Sequence, residues 1–352
     1  MNYQFNESKN LKNKPTENLG FGKYYTDYMF MMDWNEKEGW HNKRVVPYGP
    51  IMLDPSTMVL HYAQETFEGL KAYRSEEGEI YLFRPEMNAK RFANSNERMC
   101  MPKVDEDLFV DAIKTLVDIE RDWVPKGQGE SLYIRPVMFA NQVDLSVKPA
   151  NEYTFLIVLS PVGDYYPEGV NPVKIYVEDE YVRASEGGTG FVKCGGNYAA
   201  SLKGQEKASK LGYSQVLWLD SKYKKYVEEV GAMNAMFLID NKIVTAPIDG
   251  TVLPGVTRDS IIKLLKDLDY EVEERHLSID ELMEAGKNGK LKEAFGTGTA
   301  AVISPIGELY YKGEKVIINN FKTGELTQKL YDELTDIQWG RSEDKNSWRV
   351  RV

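Results

Sequence analysis

Between the apolar runs YTFLIVLSPV and VKIYVED lies DYYPEGVNP, Asp164–Pro172, a stretch rich in proline, glycine and acidic residues. Such a segment interrupts both helix and strand patterns. It divides the 352-residue chain into two halves, each long enough to bury a core of its own. Residues 1–163 are therefore expected to form a smaller α+β domain behind a polar arm at 1–22, residues 164–172 the linker, and residues 173–352 a larger β-rich domain.

Short β-like segments follow the arm: RVVPYGPIMLDP, STMVLHYAQ and GLKAYRSEEGEIYLFRP, the last with a hairpin turn at EEGE. Pro85–Met99 reads as an amphipathic helix. Val104–Trp123 reads as a core-facing helix, because Asp105, Glu106 and Asp107 open it and Leu108, Ala112, Ile113, Leu116, Ile119 and Trp123 recur at helical spacing. SLYIRPVMFA and YTFLIVLSPV complete the first half as strands. In the second half, strands are expected at VKIYVED, QVLWLD, AMNAMFLID and KIVTAP. Helices are expected near Tyr198–Leu211, Thr257–Leu268, LSIDELMEAG and Thr327–Thr335.

The net charge of -10 sets up a field that repels nucleic acid and anionic membrane surfaces. Small molecules or a second copy of the chain are the expected partners. Two cysteines, Cys100 and Cys194, are too few for a disulfide framework, and His41, His61 and His276 form no metal-binding spacing. No run approaches the roughly 18 apolar residues of a membrane span, and the amino terminus lacks a signal-peptide core, so a cytoplasmic location is expected.

The segment GGTGFVKCGGNYAAS, Gly187–Ser201, sets Lys193 in backbone nearly free of side chains. A lysine amine forms a Schiff base with an aldehyde cofactor once burial or neighbouring cations lower its pKa. Asn197 and Tyr198 stand ready to support such a ring. A carboxylate against the ring nitrogen of pyridoxal phosphate strengthens the electron sink, and YVEEVGAMNAMF offers Glu228 and Glu229. Glu228 can face solvent while Glu229 turns inward, although strand periodicity does not choose between them. A phosphate needs donors and a cation. LPGVTRDS is a glycine turn opening a helix, with the amides of Val256 and Thr257 at its positive end. EAFGTGTAAV reads as a second small-residue loop bearing Thr297 and Thr299. Neither the P-loop nor the dinucleotide-binding glycine pattern is present.

HYAQETFEGLKAYR, LFRPEMNAKRF, LYIRPVMFA, GGTGFVKCGGNYAAS, EEVGAMNAMF, DGTVLPGVTRDS and FGTGTAAVISP, taken in order, resemble the branched-chain amino acid aminotransferases, pyridoxal-phosphate enzymes of fold type IV. The likeness runs from about His61 to Pro305, with TDIQWGR near the end. It implies a two-domain α+β enzyme with Lys193 as the Schiff-base residue, Glu229 at the pyridine nitrogen and Tyr198 on the phenolic oxygen. Arg91, the amides of Val256 and Thr257, and Thr297 would hold the phosphate. Tyr62, Phe67, Tyr133, Arg135 and the Thr299–Ala300 turn would form the substrate pocket, with Leu145 and Val147 reaching in from the partner of a homodimer. The implied reaction moves the amino group of L-leucine, L-isoleucine or L-valine to 2-oxoglutarate in two half-reactions. Within the same fold, D-amino acid aminotransferase and aminodeoxychorismate lyase are the alternatives, disfavoured by the aliphatic walls and the chain length. Where some animal relatives carry a redox-active CxxC after the substrate turn, this chain reads Ala301-Val302-Ile303-Ser304.

Overall fold

The computed structural model describes residues 3–165 and 169–352. Met1 and Asn2 of the expected arm, and residues 166–168 of the expected linker, lie outside the described residues. The chain divides into two compact units: Met1–Tyr165 with Val192–Gly195 and Asp336–Val352, and Tyr166–Phe191 with Gly196–Thr335. The carboxy-terminal stretch, read as part of the second domain, thus belongs to the first unit. The physical reason is strand pairing: Arg349–Arg351 adds to the edge of Ile80–Phe83, while Trp339 packs on Tyr73 and Trp348 on Phe83 at ring-centroid distances of 4.5 and 5.6 Å.

In the first unit, strands run in the order Gln4–Phe5, Gly39–Pro47, Tyr28–Asn35, Glu152–Val162, Ser131–Ala140, Leu70–Arg74, Ile80–Phe83 and Arg349–Arg351, with Glu65–Phe67 joined to Ser131–Ala140. Helices Pro85–Arg98 and Glu106–Ile119 cover one face, and Phe92, Phe109 and Phe155 meet there with centroids 5.3–6.1 Å apart. Proline at the first helical position starts the former, and the Asp105 carboxylate accepts from the Leu108 amide to cap the latter. The segment read as one helix to Trp123 breaks at Glu120 and resumes as a 3-10 turn at Arg121–Trp123.

Two further readings are corrected. STMVLHYAQ, expected to be extended, forms the short helix Met58–Tyr62. The Asp54 carboxylate accepts from the Ser56 amide and its carbonyl from the amide and hydroxyl of Thr57, a local turn from which the helix starts. The strand Tyr28–Asn35, for which no element was expected, sits between Gly39–Pro47 and Glu152–Val162 and buries Phe30 and Met32 completely. Its apolar run lacks alternation because both faces are covered.

The second unit is built on strands ordered Val227–Val230, Gln215–Leu219, Val173–Glu178, Val302–Tyr311, Leu291–Gly298, Met233–Ile239, Lys242–Thr245 and Glu271–Glu274, with Glu314–Ile317 beside Val302–Tyr311. Val227–Val230 also pairs with Met233–Ile239, which closes six of these strands into a ring. Val173–Glu178 and Gln215–Leu219 are parallel and joined through the helix Gly195–Lys210. Ile175, Leu217, Phe237 and Leu309 fill the core. EAFGTGTAAV, read as a loop, is strand as far as Gly298 and resumes as strand at Val302, leaving only Thr299–Ala301 as the turn.

Candidate active site

In the first unit, backbone bonds hold Lys193 from both sides. Its carbonyl accepts from the Phe67 amide at 2.9 Å, and its own amide donates to Ser95 Oγ at 3.1 Å on the helix Pro85–Arg98. The Gly195 amide donates to Glu65, and a Cβ at this glycine would run into the Glu65 carboxylate. Gly195 therefore permits a close approach of the chain to Glu65 beside Lys193. Lys193 Nζ lies 4.9 Å from the Phe67 ring centroid. The same ring carries the Arg135 guanidinium at 4.7 Å, and Arg135 donates to the Tyr133 hydroxyl at 2.8 Å. Tyr62 donates to the Leu145 carbonyl.

Burial pushes the Lys193 amine down to about 8, helped by Arg91 and Arg135 and opposed by Glu68 and Tyr133. Arg91, expected to serve a phosphate, makes a two-pronged ion pair with Glu68: Nε to Oε1 at 2.7 Å and Nη2 to Oε2 at 2.8 Å. Glu68 is fully buried and also accepts from Asn88 at 2.8 Å and from the Gly69 amide at 3.1 Å. Burial opposes its charge, but Arg91, Lys193 and Asn88 outweigh burial and hold its carboxyl below the ordinary range. Sequence reasoning missed Glu68. The available signal was an acidic residue next to Phe67 and two residues before Leu70 in TFEGLKAY, which demands a partner when buried.

In the second unit, Glu229 is 3% exposed. Its Oε2 pairs with Arg183 Nε at 3.0 Å, and its Oε1 accepts from the Leu253 amide at 2.8 Å and from Asn234 Nδ2 at 3.3 Å. Arg183 donates in turn to the Gly190 and Thr251 carbonyls. The carboxylate is anchored at both oxygens, an arrangement that allows it to stay charged in a buried place. Glu228, expected to be able to face solvent, is buried as well, because strand Val227–Val230 is covered on both faces.

Asn234, which sequence reasoning passed over, organises this half. It stands opposite Glu229 in one strand pair and opposite Thr297 in another, and it donates to the Leu253 carbonyl at 2.9 Å. Gly255 packs so closely on its Oδ1 that any Cβ would collide with it. Gly255 caps the helix Val256–Asp267, whose first amides, at Val256 and Thr257, have no partner within the helix. Thr297 is 1% exposed, and its hydroxyl has no hydrogen-bond partner among the described residues.

Tyr198 is half-buried in the first turn of Gly195–Lys210. Asn197, considered as a support for a ring, is occupied with Thr189, donating to its carbonyl at 2.7 Å and accepting from its hydroxyl at 2.8 Å. Thr299 and Ala300 are half-buried in their turn. Leu145 and Val147 are exposed, Val147 by 85%. Cys194 is buried and Cys100 exposed, both as free thiols. Among the described residues no three His, Cys, Asp or Glu side chains converge on a metal position, and no helix is long and apolar enough to cross a membrane.

The desolvated lysine amine of the first unit suits an aldehyde, and, within the second unit, the anchored carboxylate, the orphaned hydroxyl and the amides of a helix start suit a pyridine ring and a phosphate. The family model for amino-transferase class IV matches residues 65–309. A probable branched-chain-amino-acid aminotransferase of Staphylococcus aureus (strain N315) is 57% identical over 344 residues, covering 97% of this chain and 96% of its own. Branched-chain-amino-acid transaminase 1 of Bacillus subtilis (strain 168) is 54% identical over 343 residues, covering 97% of this chain and 96% of its own. Among solved structures, the Escherichia coli branched-chain amino acid aminotransferase superposes with a TM-score of 0.77 at 26% identity, covering 92% of this chain and 98% of its own. The motifs, the α+β fold and these likenesses lead to one assignment: the chain is an aminotransferase and belongs to the amino-transferase class IV family.

Proposed function

We propose that the enzyme is a branched-chain-amino-acid transaminase that moves the amino group of L-leucine, L-isoleucine or L-valine reversibly to 2-oxoglutarate, with pyridoxal 5'-phosphate as cofactor. The observation that carries this reading is the Lys193 amine, brought down to about 8 beside the apolar face of Phe67. An ordinary lysine is almost wholly protonated near neutral pH, whereas this one keeps an appreciable neutral fraction and can act as a base.

Bound pyridoxal phosphate supplies the electron sink that makes the substrate's Cα proton removable. Lys193 Nζ takes that proton and returns it later in the exchange. Glu229 sets a fixed negative charge toward the pyridine nitrogen, and Arg183, Asn234 and the Leu253 amide keep that charge in place. The Tyr198 hydroxyl serves the phenolic oxygen. Arg91, aligned by Glu68, the amides of Val256 and Thr257 and the Thr297 hydroxyl hold the phosphate.

Phe67, Tyr62 and Tyr133 offer aromatic walls, and one methylene in such a pocket is worth only about 1–3 kcal/mol. One site therefore accepts all three aliphatic side chains. Arg135 and the tyrosine hydroxyls answer the second carboxylate of glutamate, and the Thr299–Ala300 turn receives the α-carboxylate. The exposed Leu145 and Val147 support a homodimer in which they complete the partner's pocket. The free thiols accord with a cytoplasmic location.

The test is a spectral titration of the purified holoenzyme. L-leucine, L-isoleucine and L-valine should each bleach the yellow cofactor band, 2-oxoglutarate should restore it, and D-alanine should do neither. A band indifferent to all three amino acids would refute the substrate assignment. Lys193→Ala should slow a single turnover by orders of magnitude, and near-normal turnover would remove Lys193 from the chemistry.

A further inference from the structure

A cavity of about 290 Å³ in the second unit is lined by Tyr226, Val227, Pro247 and Val252 and also by Glu228 and Asp249. Its size lies near the lower end of small-ligand pockets, about 300–1,000 Å³. We infer that it binds a small organic ammonium ion, a primary amine on a short aliphatic stem, with the Glu228 carboxylate as the counter-charge. The inference does not depend on the transamination reading, since alternation along Val227–Val230 sends Glu228 and Glu229 to opposite faces.

The observation that calls for a ligand is Glu228 itself. It is 6% exposed, lines the cavity, and its Oε2 has no hydrogen-bond partner among the described residues. A buried carboxylate oxygen without a donor is costly, so the site is built to receive one. Burial pushes this carboxyl up to about 7, against a hydrogen bond from Thr251 and the charge of Arg183, and a bound cation would favour its ionised form. The neighbouring groups do not supply that cation. Both Asp220 oxygens are engaged by the amides of Lys222, Tyr223, Lys225 and Tyr226, at 2.7–3.1 Å. Asp249 faces His276 at 3.2 Å. Arg183 is engaged with Glu229. Lys222, which also lines the cavity, lays its ammonium over the Tyr223 ring at 5.0 Å, and Lys225 does the same over Tyr226 at 5.5 Å. These rings thus already accept cations on their faces.

The remaining choices of ligand are excluded by chemistry. An anion would meet the Glu186, Glu228 and Asp249 carboxylates. A metal ion would need ligands that converge, and no such group exists among the described residues. A strongly hydrated ion would gain nothing from the walls of Val227, Pro247 and Val252. An alkylammonium satisfies both the carboxylate and the walls.

The probe is n-butylammonium chloride, titrated into the holoenzyme and followed by calorimetry and by saturation-transfer NMR at constant ionic strength. Butylammonium should bind saturably, whereas n-butanol and butyrate should not. Glu228→Gln should weaken binding at least tenfold and Asp249→Asn a few-fold, with circular dichroism confirming that each variant is folded. If Glu228→Gln does not fold, the exposed-side substitution Asp249→Asn carries the test, and unchanged affinity there overturns the inference. Equal binding of n-butanol, undiminished binding by a folded Glu228→Gln, or no saturable binding would likewise overturn it.

Discussion

Glu68→Gln isolates the electrostatic role of a side chain that no solvent reaches. Glu68 accepts two bonds from Arg91 at 2.7 and 2.8 Å and one each from Asn88 and the Gly69 amide. Removing one partner of a buried pair costs about 3–5 kcal/mol, because the other charge is left uncompensated. Glutamine keeps one acceptor and the original shape, which places the loss at the lower end, about 3 kcal/mol, or a fall of about 4 °C in Tm for a protein of this size. Urea unfolding at neutral pH measures it. Arg91→Met should cost a similar amount, but the double variant should be far more stable than the sum of the two losses, since removing both charges leaves none unpaired. The sign of the pH dependence follows from the lowered folded pKa of Glu68. Its contribution is complete above the unfolded carboxyl value and is lost as pH falls through the folded one. The gap between the parent protein and Glu68→Gln should therefore be constant from about pH 5 to about pH 8 and close only in more acid solution. Additive single losses, or a Glu68→Gln loss under about 1 kcal/mol, would refute the reasoning.

Three other outcomes are expected. The rate at which cofactor-free protein binds pyridoxal phosphate should rise with pH through about 8, where Lys193 loses its proton, and an inflection near the usual lysine value would contradict the desolvation of that amine. Gly255→Ala should weaken retention of pyridoxal phosphate in equilibrium dialysis by an order of magnitude or more, because the new methyl meets Asn234 Oδ1 and displaces the start of Val256–Asp267, and unchanged retention would count against a phosphate role for those amides. If the proposed homodimer forms through Leu145 and Val147, the parent protein should sediment as a dimer and Val147→Glu as a monomer at neutral pH with an intact circular dichroism spectrum, and a variant that sediments like the parent would refute that contact.

Local pattern was enough for most of the periodic elements. Helical spacing placed the middle of Glu106–Ile119, apolar runs placed Ser131–Ala140 and Glu152–Val162, and the glycine before Val256 marked a helix start. These signals are short-ranged, because propensity and spacing act over a few neighbouring residues. Which charges pair was settled by long-range packing. Glu68 with Arg91, and Arg183 with Glu229, come from segments distant in the chain, and nothing within either segment names the other. The same packing buried Glu228 beside Glu229 and returned the chain's last strand to Ile80–Phe83. In each case the outcome depends on which distant surface covers the segment, and burial, unlike spacing, is a property of the folded whole.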